Sequence, residues 1–174
     1  MKLRVFSSFL LSLAIVTLSV AYTYAEGESQ AAIESISQNC ASIKLQLERT
    51  QKEDSRMRVH LGAQYETIAT NLMQNLNVRL VRNNMTNSDL AEQQITFTAQ
   101  RDIFKSDFTD YSQSLEKLVK IDCKNNPDKF YSSLKNVRAK RERVNTDVAR
   151  LKEIVARHHE TINQLIGDLS NGKN

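Results

Sequence analysis

Apolar residues recur at Ile33, Ile36, Cys40, Ile43 and Leu47, in steps of three and four that put them on one face of a helix at heptad spacing. The pattern weakens over RTQKEDSRMR, residues 49–58, where Thr50 and Asp54 take the seam positions. It resumes as Leu61, Tyr65, Ile68, Leu72, Leu76 and Leu80. The extra steps of four form a stutter, which relaxes supercoiling without ending a helix. Gly62 costs about 1 kcal/mol relative to Ala inside a helix, so a bend or frayed turn is expected within residues 50–62.

The stretch VRNNMTNSDLAEQQ, residues 81–94, interrupts this first helix. Asn83 and Asn84 tolerate a left-handed backbone and can end it, while Ser88 or Asp89 can cap the next, with Glu92 at capping-box spacing from Asp89. The second helix carries Leu90, Phe97, Phe104, Phe108, Tyr111, Leu115 and Leu118. A second break, IDCKNNPDKF, follows. There Asn126 is a suitable N-cap, and Pro127 suits the first helical position, where its missing N–H costs nothing. The third helix has the most regular seam: Phe130, Leu134, Val137, Arg141, Val144, Val148, Leu151, Val155, His158, Ile162, Leu165 and Leu169.

These patterns predict an all-α protein with helices over about 28–83, 89–121 and 127–169 and a disordered tail, 171–174. Short connections make sequential helices antiparallel. At 1.5 Å per residue the helices span roughly 80, 50 and 65 Å. The expected architecture is an elongated antiparallel three-helix coiled-coil bundle over residues 26–170, with the first and third helices overhanging the second. Such overhangs would expose apolar stripes at Ile33–Leu47 and Ile162–Leu169, and exposed stripes of this kind find partners. The pairs Glu48 with Lys52, Glu116 with Lys120 and Glu153 with Arg157 lie i, i+4 in the favourable order, each contributing about 0.2–0.5 kcal/mol.

Composition agrees with long helices: there is no Trp, and the chain has one Pro and four Gly. The first 25 residues change the picture of where the protein resides. MKLRVFSSFLLSLAIVTLSVAYTYA places Lys2 and Arg4 before an apolar core, Phe9 to Val20, and ends in Thr-Tyr-Ala, which reads as a secretory signal peptide cleaved after Ala25. Retained, the same segment would approach the roughly 20 residues of a membrane anchor. Absence of cysteine near the junction excludes lipoprotein anchoring. The formal charge of +4 includes Lys2 and Arg4, and the small remainder does not argue for nucleic acid or acidic lipid.

Two cysteines in an exported chain point to one disulfide. If the first two helices fold back about residue 86, Cys123 lies opposite a residue near 49, about 13 Å from the level of Cys40. Three or four extended residues of the IDCKNN loop cover that distance at about 3.3 Å each. A Cys40–Cys123 bond is therefore expected, worth about 4.6 kcal/mol in the chain-entropy model. Free or intermolecular thiols are the alternative.

Little else carries chemistry. A rod of three helices offers little concavity for an active site. His158 and His159 are adjacent and point to different faces. With His60 they form no zinc-binding spacing, and His158 at a seam position reads as a partly buried histidine. Glycine-rich phosphate loops, GxSxG and paired carboxylates are absent from the sequence, so the chain is expected to be no enzyme and to need no cofactor. The run KNVRAKRERV, residues 135–144, imitates the basic region of a leucine-zipper factor but departs from it at Val137 and Lys140. Lys135, Arg138, Lys140 and Arg143 are instead a candidate surface contact patch, with Arg141 able to snorkel or pair with a carboxylate of another helix. Asn84-Met85-Thr86 is a formal glycosylation sequon and marks an exposed turn.

The leader, the segments NCASIKLQLERTQKEDSRMRVHLGAQYETIATNL and FKSDFTDYSQSLEKLVKIDC, and SLKNVRAKRERV together resemble uncharacterised exported two-cysteine helical proteins of candidate-phylum bacteria. The resemblance implies an exported helical fold and brings no activity. The functional expectation is a non-enzymatic secreted, periplasmic or cell-surface coiled-coil protein. It would act by binding or spacing, through self-association or an envelope partner, with no nucleic acid and with membrane contact only if the leader is kept. The alternative is a periplasmic holdase chaperone, although the chain lacks the strand-rich assembly segment of trimeric holdases and the LTxxQ motif of helical-hairpin stress chaperones.

Overall fold

The computed structural model describes residues 29–172, and the expected signal peptide, its cleavage point and the last two residues of the tail lie outside the described residues. The fold is all-α, with no strand among the described residues. Residues 29–38 are helical (α1) and are followed by a turn at Asn39. Then come α2 (Cys40–Thr67), a π-helical segment (Ile68–Gln74), α3 (Asn75–Arg82), α4 (Ser88–Val119) and α5 (Pro127–Ser170). The single first helix expected over 28–83 is thus a series of segments. Gly62 does not bend the chain: α2 runs unbroken through it, and a Cβ added there would meet nothing within 4 Å.

The irregularity lies six residues later and has a packing cause. Two apolar stripes compete here, Ile68/Leu72/Leu76 and Tyr65/Ala69/Met73. Residues four apart drift forward around an α-helix, whereas a turn closed by i→i+5 bonds holds an extra residue and brings them back into line. The π segment therefore keeps Tyr65, Ala69 and Met73 on one buried face and turns Leu72 out, 59% exposed against 1% for Met73.

At the first connection, Asn84 has φ 56°, and Met85 N–H donates to Leu80 O while Asn84 N–H donates to Val81 O. This is the left-handed helix stop expected of the Asn-Asn pair. The cap of α4 is Asn87, one residue earlier than expected: its side chain accepts from Leu90 N–H at 3.0 Å. At the second connection Pro127 occupies the first turn of α5, but Asn126 makes no side-chain cap. The loop is held instead by Asp122, whose carboxylate accepts from Lys124 N–H, Asn125 N–H and Asn125 Nδ2.

Side-chain partners fix the directions of the helices. Gln93 meets Thr161, Gln100 meets Asp147 and Asp110 meets Lys140, so α4 and α5 are antiparallel. Glu66 meets Arg101 and Asp54 meets Tyr111, so α2 and α4 are also antiparallel. The core is an aromatic ladder along α4. Phe97, Phe104, Phe108 and Tyr111 are buried, and Tyr65 of α2 packs edge-on against Phe104 at 5.3 Å and Phe97 at 6.1 Å between ring centroids.

Cys40 and Cys123 are joined, with Cα atoms 5.5 Å apart. The bond needs less reach than equal counting from the turn implies. Tyr111 meets Asp54; twelve residues farther from the turn on each side, the level of Cys123 corresponds to residue 42, close to Cys40. The returning loop also lies against α1, where Ser37 Oγ donates to Lys124 O at 3.1 Å. The Ile33–Leu47 stripe is consequently covered rather than exposed. Ile36 is buried, and Cys40, Ile43 and Leu47 pack on the core. At the other end Ile166 and Leu169 do remain exposed.

Candidate functional site

The residues of the expected contact patch do not form one free basic surface. Lys140 Nζ donates to Asp110 Oδ1 at 2.6 Å and to Ser114 Oγ at 2.7 Å, and Arg143 reaches Asp110 Oδ2 at 3.3 Å. The Lys140 hydrogen bond holds the Asp110 carboxyl below its usual range. These two cations clamp α5 to α4. Lys135 lies over the ring of Tyr131, one turn back on its own helix, at 4.8 Å from the centroid, and Arg138 is exposed. Arg141 pairs across helices, as its seam position allows, with Nη2 at 3.2 Å from Asp54 Oδ1.

Asp54, at the weak point of the first seam, is a junction of three helices. It is buried, accepts from Tyr111 Oη at 2.6 Å and receives Arg141 on its other oxygen. Burial, together with the hydrogen bond to Asp54, pushes the Tyr111 hydroxyl well above its ordinary range. A second polar contact lies between α4 and α5. Gln100 Nε2 donates to Asp147 Oδ1 at 2.8 Å, whereas Asp147 Oδ2 is buried without a partner. Burial foremost, and then the neighbouring Asp107, raise the Asp147 carboxyl.

Farther along α5, His158 Nδ1 lies 3.1 Å from Gln93 Oε1, while Gln93 Nε2 donates to Thr161 Oγ1 at 3.0 Å. Because Gln93 presents its oxygen, His158 carries its proton on Nδ1. Burial lowers the His158 pKa and keeps the ring neutral. His159 faces outward, with Nε2 3.2 Å from Asn163 Nδ2. Among the described residues no group of three His, Cys, Asp or Glu side chains is placed to hold a metal.

A groove of about 600 Å³ lies between the π segment with α3 and the facing stretch of α5. Ile68, Leu72, Met73 and Leu76 form one wall; Val155, His158 and Ile162 form the other. Polar and basic groups rim it: Asn71, Asn75, Arg79 and His159. The π segment creates this recess, because it withdraws Met73 into the core and leaves Leu72 at the lip. Sequence spacing did not single it out, since a uniform α-helical seam placed Leu72 inside. The signal available was the coexistence of two apolar stripes over residues 65–76.

Comparison with protein-family models, curated proteins and solved structures finds no match to the chain. A functional reading therefore rests on these residues alone.

Proposed function

We propose that the chain is a non-enzymatic exported protein, built as an elongated three-helix coiled-coil bundle, that acts by binding or spacing. The observation that carries the reading is the open groove beside the π segment, an apolar surface on a scaffold whose other interfaces are tied together. Support also comes from how the reactive side chains are engaged. His158 is held by Gln93, Tyr111 and Arg141 meet on Asp54, and Lys140 and Arg143 meet on Asp110. The Cys40–Cys123 bond is compatible with an oxidising compartment. No described helix is long and apolar enough to cross a membrane.

Capture from the host envelope with the disulfide-bonded chain as bait tests this reading. A partner retained by the native chain and lost with Leu72→Asp supports it, and recovery of no partner, with no change on altering the groove, opposes it. A holdase would instead suppress aggregation of an unfolded client at stoichiometric protein. Recovery of the processed chain beginning at Glu26 tests export.

A further inference from the structure

We propose that the groove takes the aliphatic chain of a single-chain carboxylate amphiphile, a long-chain fatty acid, with its carboxylate against Arg79. The inference deepens the binding reading above and rests on it. A recess of about 600 Å³ falls within the range of small-molecule sites, and its walls are the apolar faces of Leu72, Leu76, Val155 and Ile162.

No acidic side chain lines the recess. Its ionisable groups are Arg79, His158 and His159, and burial keeps His158 neutral within the apolar stretch. Arg79 is exposed and forms no ion pair with another described residue, so its guanidinium is available for the bidentate grip it makes on a carboxylate.

From Ile68 to Arg79 the wall runs about 16 Å at 1.5 Å per residue, and the surface beyond Ile68 is lined by His60, Ala63, Gln64 and Thr67. Leu72 and Leu76 lie between Ile68 and Arg79 on that wall, so an apolar run ends at a cation. One extended aliphatic chain with an anionic head matches that order.

Titration calorimetry of the disulfide-bonded chain, purified from an exporting host, with octanoate, decanoate, dodecanoate and palmitate below their aggregation limits tests the proposal. Saturable one-to-one binding is expected, tightening about threefold to fourfold per added methylene until the chain outruns the groove. Arg79→Gln should weaken dodecanoate about tenfold while leaving dodecanol unchanged. Leu72→Asp should weaken both, and Leu45→Asp, exposed outside the groove, neither. Each variant is exposed at the surface, and circular dichroism confirms that it folds.

Absence of saturable binding would overturn the proposal, as would equal affinity for dodecyltrimethylammonium. So would a dimer that Leu72→Asp dissociates, since a second copy would then fill the groove. An envelope protein captured through the groove, with no fatty acid bound, would overturn this inference while leaving the broader binding reading intact.

Discussion

Tyr111 donates its hydroxyl to Asp54 at 2.6 Å, from the aromatic ladder of α4 to the one buried carboxylate of α2. The contact converts a polar residue at a seam position into a cross-brace. Removal of the donor by Tyr111→Phe leaves Asp54 held by Arg141 alone and is expected to cost about 1–3 kcal/mol. Urea unfolding with the disulfide intact measures it. The substitution preserves the ring packing, so a loss near zero would mean that water replaces the hydroxyl.

Met73 and Leu72 give the sharpest test of the π segment. Met73→Ala removes a fully buried side chain and should destabilise by about 2–5 kcal/mol. Leu72→Ala, at an exposed position, should stay within about 0.5 kcal/mol of the parent. Reversal of the two effects would restore the uniform α-helical seam.

That contrast marks what the sequence made legible. Every apolar position read for the second helix, from Leu90 to Leu118, is buried, because bulky aromatic residues at strict spacing leave one possible face. Asn83-Asn84 and Asn126-Pro127 likewise carry their own backbone preferences, so the chain stops were readable. Asp147 and Ile154 were missed on the third helix, although both are buried. Asp147 is held by Gln100, a residue on another helix, and no local spacing reveals such a partner. The groove escaped for a related reason: burial was decided by competition between two stripes, and only packing against α4 selects the winner. Local charge clustering likewise does not show that Lys140 and Arg143 face Asp110 of another helix.

Asp147 makes stability depend on pH in an unusual direction. A folded-state pKa above the unfolded value means that this carboxyl favours folding when protonated. Its contribution is fully present below the unfolded value, about 3.9, and is lost as pH rises through the raised folded value. At neutral pH the ionised group opposes folding, and Asp147→Asn, which keeps an acceptor for Gln100 and adds a donor toward Asp107, should stabilise by about 1–3 kcal/mol. The gap between the two proteins, followed by urea midpoints, should narrow on acidification.

His158 acts with the opposite sign. Its folded pKa is lowered by burial, so its contribution is present above the unfolded value of about 6.5 and is lost as pH falls toward and through the folded value. The acid-side loss should begin below about pH 6.5 and disappear in His158→Gln. Histidine ring titration by NMR should place His158 below the ordinary value.

Replacement of both cysteines by Ser removes the closure between residues 40 and 123, a separation of 83. A loss of about 4–5 kcal/mol is expected from loop entropy. Hydrogen exchange should accelerate most in residues 29–47, whose apolar stripe lies against the returning loop.

The sulfur bridge also determines how the molecule would carry mechanical load. Tension applied between the start of α1 and the end of α5 passes from Cys40 directly to Cys123, so residues 41–122 sit in a covalent bypass and feel no pull. Only α5 and the segment before Cys40 can lengthen. Reduction inserts the bypassed residues into the load path, so the thiol state of the surroundings sets the protein's maximum reach as a tether.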